Sequence, residues 1–129
     1  MIWDQLTSGQ ISSLDKNIPV LLLMAATEQH GAHLPLSTDR LIGEHFANTL
    51  NALISDSILI LPVVSIGCSD HHMDFPGTLT LSHNTFSAVV KEMVEYVLHH
   101  GFNKIILFNS HGRNQGIAQV ILEEIGYKY

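Results

Sequence analysis

Four side chains of types that ligate metal ions lie in one short segment, TEQHGAHLPLSTDR at residues 27–40. They are Glu28, His30, His33 and Asp39. If the chain is extended there, Glu28 and His30 face the same way, because residues two apart lie on one face of a strand. Their carboxylate and imidazole are then adjacent ligands for one ion. Asp39 follows a proline-containing loop that can return its carboxylate to this pair, although an aspartate at this position can also simply cap a helix.

Two later segments carry similar side chains. SIGCSDHHMDFPGT, at residues 65–78, contains Ser69 and His72, and NSHGRNQG, at residues 109–116, contains His111. The first segment is either a polar surface loop closed by a Pro-Gly turn or a loop that faces a substrate near the metal. His111 is either an ordinary loop histidine or a ligand delivered by a neighbouring strand.

The strongest candidate ligand set has no thiolate. It consists of Glu28, His30, Asp39 and His111. Such a mixed nitrogen and oxygen set suits Zn²⁺, Mn²⁺ or Fe²⁺. If a carboxylate bridges, the set can hold two ions about 3.5–4 Å apart and activate a water molecule at neutral pH. The other histidines outside the three segments are predicted to lie on helix faces or helix ends and to have no functional role.

The elements that must position these side chains follow from the apolar pattern. Short apolar runs predict buried parallel strands at residues 20–26, 58–64 and 104–109. Helical spacing predicts helices at residues 38–53, 82–100 and 114–125. This alternation favours an α/β fold with a parallel sheet. Each polar segment follows a predicted strand, so the candidate ligands are expected to meet beyond the carboxyl ends of the strands, where such sheets bind ligands.

Composition narrows the possible functions. The chain has 129 residues, 46% of them hydrophobic and 14% charged, with a net charge of −6. We expect one domain covering residues 1–129. The absence of a basic cluster argues against nucleic-acid binding, and no apolar run or secretory pattern indicates a membrane partner, so a cytoplasmic location is expected. The single cysteine, Cys68, excludes an internal disulfide and is more typical of a small buried side chain than of a nucleophile.

Together, the three segments resemble the motifs of the creatininase family, which contains the creatinine amidohydrolases and their relatives. The first motif, Glu-x-His-Gly-x-His-Leu-Pro-Leu-x-Thr-Asp, is matched in full by residues 28–39. The second, Gly-x-Ser-x-x-His-x-x-Phe-Pro-Gly-Thr, is matched by residues 67–78. The third, Asn-Gly-His-Gly-Gly-Asn, is matched more loosely by NSHGRN at residues 109–114. The motifs occur in the family's order and span nearly the whole chain.

The resemblance implies a three-layer α/β/α sandwich with a mostly parallel sheet. It also implies a binuclear metal site that hydrolyses the C–N bond of a small cyclic amide or a formamide. The implied metal ligands are Glu28, His30, Asp39 and His111, with Asp39 as the bridge. The residue implied to orient the site is His33, and those implied to border the substrate are Gly67, Ser69 and His72. The cofactor would be Zn, Mn or Fe, with one or two ions per chain.

Two departures from the family leave an alternative open. Members of the family are longer, so the fold is expected to be incomplete, with an exposed apolar edge strand that promotes a homo-oligomer. Arg113 stands where some members have a glutamate, and a guanidinium does not ligate metals. The alternative is a non-catalytic metal-binding or assembly domain of the same fold. A metal-dependent phosphoesterase is a third possibility, but no Gly-rich phosphate loop is visible.

Overall fold

The computed structural model describes residues 1–129. Its strands are β1 (Val20–Met24), β2 (Leu59–Ile60) and β3 (Ile105–Asn109), and its helices are α1 (Ser8–Ser13), α2 (Thr38–Leu53), α3 (His83–His99) and α4 (Asn114–Lys128). Short 3-10 turns lie at Trp3–Gln5, Ser55–Ser57 and Asp70–His72. None of the helices combines the length and the apolar character needed to cross a bilayer.

The three strands form one parallel sheet in the order β2-β1-β3. All five residues of the central strand β1 are buried, which explains why its sequence is apolar at every position. β1 pairs with β3 along its whole length, from Val20 opposite Ile105 to Met24 opposite Asn109. The predicted α/β class and parallel sheet are confirmed.

The predicted strand at residues 58–64 is much shorter in the structure, where only Leu59–Ile60 form β2. Pro62 interrupts the run, because proline has no N–H to donate to a neighbouring strand. The chain nevertheless continues beside β1, since the backbone N–H of Val64 donates to the carbonyl of Leu23 at 2.9 Å. β3, the strand that precedes the third polar segment, begins one residue later than predicted. Helix α4 extends three residues beyond its predicted end.

The helices cover both faces of the sheet. Alternate side chains of β1 point to opposite faces, so the strand contributes to two separate hydrophobic clusters. One cluster joins the sheet to α3 and α4, with Val20, Leu22, Met24, Phe86, Val90, Val94, Ala118 and Ile121 among its members. The other joins the sheet to α2, through Leu21, Leu23, Ala47, Ile58 and Ile60. The result is the predicted three-layer α/β/α arrangement.

The two edges of the sheet differ. The edge at β2 is contacted by the start of the chain, where the N–H of Ile60 donates to the carbonyl of Met1 at 2.9 Å. β3 pairs only with β1, so its outer edge has no neighbouring strand. Ile106 in this strand is 43% exposed. The sheet therefore has one open edge, and it is an apolar one.

Candidate metal centre

The structure brings four of the predicted ligands together at the carboxyl ends of the strands. We refer to Glu28, His30, Asp39 and His111 as the four-residue cluster. Glu28 and His111 are each 5% exposed and Asp39 is 8% exposed. Ionisable side chains are seldom buried to this degree unless they are paired or bind a metal.

The loop between Glu28 and Leu36 folds back so that its two ends meet, and this places Asp39 near Glu28. The backbone N–H of Glu28 donates to the carbonyl of Leu36 at 3.0 Å, so the two ends of the loop lie side by side. Gly31 has a φ of +75°, in the left-handed region that favours glycine, and this allows the turn after His30. Asp39 then falls in the first turn of α2 with its side chain directed at the cluster.

The carboxylate of Asp39 does not cap α2. Its Oδ1 lies 3.1 Å from Nε2 of His30, and its Oδ2 lies 2.8 Å from Nδ1 of His111. Each carboxylate oxygen thus faces a different imidazole, which is the arrangement a bridging carboxylate needs. Ligand atoms from Glu28, His30 and Asp39 all lie within 4.8 Å of one another.

Hydrogen bonds to backbone carbonyls orient each imidazole so that its other nitrogen faces Asp39. Nδ1 of His30 donates to the carbonyl of Glu28 at 3.2 Å, and Nε2 of His111 donates to the carbonyl of Cys68 at 3.0 Å. In a neutral imidazole the remaining nitrogen carries a lone pair. In that neutral form each imidazole would direct a lone pair at the site, as a ligand of a cation does. Metal-binding histidines have this same outer hydrogen bond to a backbone carbonyl.

Glu28 supplies a further sign that the cluster fits a cation. Its Oε1 lies 3.4 Å from Nδ1 of His111, whereas its buried Oε2 has no hydrogen-bond partner. A buried polar atom without a partner costs about 1–3 kcal/mol, and more when it carries charge. A divalent ion in contact with this carboxylate would remove this cost, so the residues present fit a metal.

His111 is held in place by Asn109, whose role the sequence pattern did not reveal. Nδ2 of Asn109 donates to the carbonyl of His111 at 2.7 Å, and its Oδ1 accepts from the N–H of His111 at 3.2 Å. The side chain thus holds both backbone groups of the histidine just after β3 ends. The sequence signal was the asparagine that opens NSHGRN.

Asn114, which closes the same motif, was also missed. It is fully buried, its Oδ1 accepts from the N–H of Cys68 at 3.0 Å, and its Nδ2 donates to the carbonyl of Ala25 at 3.0 Å. It therefore ties the second polar loop to the end of β1. Since the carbonyl of Cys68 orients His111, Asn114 acts on the cluster through this loop.

The three residues predicted to border a substrate occupy different surroundings. Gly67 packs so closely against Asn114 that a Cβ atom would lie 2.6 Å from its Oδ1. Ser69 is fully buried, with its Oγ 3.4 Å from Nε2 of His111. His72 is half-buried and its Nδ1 accepts from Nε2 of Gln29 at 3.0 Å. A substrate role for these residues stays a prediction.

His33 and Arg113 lie outside the four-residue cluster. His33 is exposed and has no hydrogen bond to the four ligands, so its predicted orienting role stays a prediction. Arg113 is exposed as well, and its Nη2 lies 3.8 Å from Oδ1 of Asp70. The guanidinium therefore has an acidic partner outside the cluster.

The pKa values of two side chains near the four-residue cluster are shifted. Burial, followed by the charge of Asp70, raises the pKa of the Cys68 thiol, which is 1% exposed. This supports a packing role for Cys68 rather than a nucleophilic one. Desolvation, followed by the nearby charges of His72 and Arg113, lowers the pKa of His71. His71 is thereby biased toward the neutral imidazole.

The chain is similar in sequence and fold to known proteins of one family. The family model described as creatininase, creatinine amidohydrolase, matches residues 4–129. A mycofactocin precursor peptide peptidase from Mycobacterium tuberculosis is 32% identical over 120 residues, which cover 85% of this chain and 46% of the relative. A 2-amino-5-formylamino-6-ribosylaminopyrimidin-4(3H)-one 5'-monophosphate deformylase from Methanococcus voltae is 27% identical, covering 91% of this chain and 45% of the relative.

A solved structure also matches. The manganese form of a creatininase superposes with a TM-score of 0.84 at 25% identity, covering 98% of this chain and 53% of that one. The chain thus spans about half the length of the relatives it matches. The family match covers the three motifs and the cluster they form, and the chain belongs to the creatininase, or creatinine amidohydrolase, family.

Proposed function

We propose that the chain carries the metal centre of a metal-dependent amidohydrolase, which hydrolyses the C–N bond of a small cyclic amide or a formamide. The observation that carries the proposal is the buried Asp39, whose two oxygens face ring nitrogens of two different imidazoles. The names of the two relatives, a peptidase and a deformylase, both describe cleavage of an amide C–N bond. They differ in substrate, so we propose the bond type and not one compound.

Some residues of this chain would bind the metal, and others would orient its ligands. Glu28, His30, Asp39 and His111 would hold one or two ions of Zn, Mn or Fe, and the donor set suits all three. A divalent ion bound there would polarise the amide carbonyl and activate the attacking water. The carbonyls of Glu28 and Cys68 would keep the imidazole lone pairs directed at the ion.

Metal binding and hydrolysis give separate tests. The metal-free chain is loaded with Mn²⁺ or Zn²⁺ and incubated with creatinine and, separately, with formanilide, and the ring-opened product or formate is measured. Asp39→Asn keeps the side-chain shape but removes the charge. It should lower metal affinity by more than the about 10–100-fold that follows loss of an outer partner of a metal ligand, and it should abolish hydrolysis.

Asp56→Asn is the matched control, because Asp56 is an exposed aspartate in the 3-10 turn Ser55–Ser57. It should bind metal and react as the unaltered chain does. Equal metal content in the Asp39→Asn and Asp56→Asn chains would contradict the ligand assignment. Metal binding without hydrolysis of either amide would favour the alternative below.

One observation favours an assembly domain that binds metal without catalysis. β3 has no neighbour on its outer side, and Ile106 exposes 43% of its surface there. Beside this edge lies an apolar groove lined by Leu21, Phe46, Ala47, Leu50, Leu53 and Phe108. An open apolar edge strand pairs readily with a second chain. We therefore propose that the chain forms a homo-oligomer through β3.

Light scattering during size-exclusion chromatography tests this association. The unaltered chain should elute as a dimer or larger species, and Ile106→Lys should shift it to the monomer by placing a charge at the edge. Val120→Lys is the control, because Val120 is exposed to a similar extent, 46%, on α4. A monomeric unaltered chain would refute association through β3.

A further inference from the structure

Two consecutive histidines lie beside Glu28 and have no ligand role in the proposed amidohydrolase. His71 and His72 occupy the 3-10 turn Asp70–His72, with their ring centroids 4.0 Å apart. One nitrogen from each ring and one carboxylate oxygen of Glu28 lie within 4.8 Å of one another. Three potential ligands of one ion therefore converge at the outer side of Glu28.

Glu28 has a donor atom to spare for such an ion. Its Oε1 faces His111, but its Oε2 is buried without any partner. A carboxylate that is 5% exposed rarely leaves an oxygen unpaired, because the lost hydration is not recovered. The unpaired oxygen leaves Glu28 with one donor atom for a second ion when Oε1 contacts the ion of the four-residue cluster.

We propose that Glu28, His71 and His72 form a further metal site, which shares Glu28 with the four-residue cluster and takes Zn²⁺ or a similar borderline divalent ion. Two imidazoles and a carboxylate are a common ligand set for zinc with one open position. Ligand atoms about 2.1 Å from a tetrahedral zinc lie about 3.4 Å from one another. Since His71 is exposed and His72 half-buried, small side-chain rotations can bring the three donors to that spacing.

The loop that carries the two histidines is already fixed. The N–H of Ser69 donates to Oγ1 of Thr80 at 2.8 Å, and the N–H of His72 donates to the carbonyl of Ser69 at 3.0 Å. The backbone that presents the rings is therefore ordered before an ion binds, which lowers the entropic cost of binding.

Two contacts weaken the binding of an ion by Glu28, His71 and His72. Nε2 of Gln29 donates to Nδ1 of His72 at 3.0 Å, so an ion bound through that nitrogen must displace the amide. The guanidinium of Arg113 lies near His71, although Asp70, 3.8 Å away, offsets part of its charge. The site is consequently weaker than the four-residue cluster and fills after it.

Equilibrium dialysis of the metal-free chain against Zn²⁺, followed by elemental analysis, tests the site. His71→Ala should bind one equivalent of zinc fewer than the unaltered chain at saturation, and the equivalents that remain should keep their affinity. His83→Ala, which removes an exposed histidine at the start of α3, is the control and should bind the full count. Arg113→Ala should tighten the weakest step several-fold, a gain that a purely structural role of this loop does not produce.

An unchanged zinc count in His71→Ala overturns the proposal, whatever the total count is. A loss of zinc at the tight step in His71→Ala, with the weak step retained, also overturns it, because the histidine would then act through the four-residue cluster. The outcome concerns binding alone. It therefore stands apart from the amide assay, whose failure would count against the proposed function and leave this site in place.

Discussion

Removing the side chain of Asn114 should destabilise the fold and weaken the metal centre together. In Asn114→Ala, the N–H of Cys68 and the carbonyl of Ala25 both lose their partner at 3.0 Å in a fully buried position. Each buried group left without a partner costs about 1–3 kcal/mol, so the free energy of unfolding should fall by about 2–6 kcal/mol. This is a large part of the about 5–15 kcal/mol that stabilises a typical domain.

The expected effect on metal affinity follows from the loop that contains Cys68. The N–H that donates to Asn114 belongs to Cys68, the residue whose carbonyl orients His111. Loss of a partner that orients a metal ligand costs about 10–100-fold in affinity. We therefore expect zinc affinity to fall within that range in Asn114→Ala, with the zinc count at saturation unchanged.

Urea unfolding of the metal-free chain, followed by circular dichroism, measures the first effect, and competition with a zinc chelator measures the second. Gln115→Ala is the matched control, because Gln115 is the next residue of α4 and is exposed. A loss of less than about 1 kcal/mol in Asn114→Ala, the usual net value of one hydrogen bond, would refute the assignment of two buried bonds to this side chain.

Three further predictions concern the elements that support the site. Gly67→Ala should lower the free energy of unfolding by about 1–3 kcal/mol in urea titrations, because its Cβ would lie 2.5 Å from the carbonyl oxygen of Ala25; no loss would show that the backbone yields there. Ser82→Ala should cost about 0.5–2 kcal/mol by removing the cap that accepts from the N–H of Thr85 at 3.2 Å, with an unchanged zinc count as the control. Cys68 should react with a thiol reagent only after unfolding, because burial shields the thiol and raises its pKa; rapid labelling of the folded chain would contradict this.

The sequence predicted most of what positions the candidate site. β1 was recognisable because every residue of a buried parallel strand can be apolar. β3 has a similar apolar run but is an edge strand whose residues are only partly buried, so its predicted burial was wrong. Ser82 marked the start of α3 because its hydroxyl caps the helix. The meeting of Glu28, His30 and Asp39 followed from the short separation of the three residues along the chain.

Other features depended on contacts between distant parts of the chain. The predicted length of β2 was wrong because Pro62 interrupts an otherwise continuous apolar run. The roles of Asn109 and Asn114 were missed because a buried asparagine is recognised by what it bonds, and its partners include Ala25, 89 positions away from Asn114. The approach of His71 and His72 to Glu28 likewise depends on how two loops pack.

Anomalous X-ray diffraction from a crystal of the chain grown with Zn²⁺ tests the central claim most directly, because it locates each ion and counts its protein ligands. We predict an anomalous peak within about 2.0–2.2 Å of a carboxylate oxygen of Asp39 and of a nitrogen of His30 or His111. Zinc peaks found only elsewhere on the protein, with none in contact with Asp39, would contradict the claim that this cluster is a metal centre.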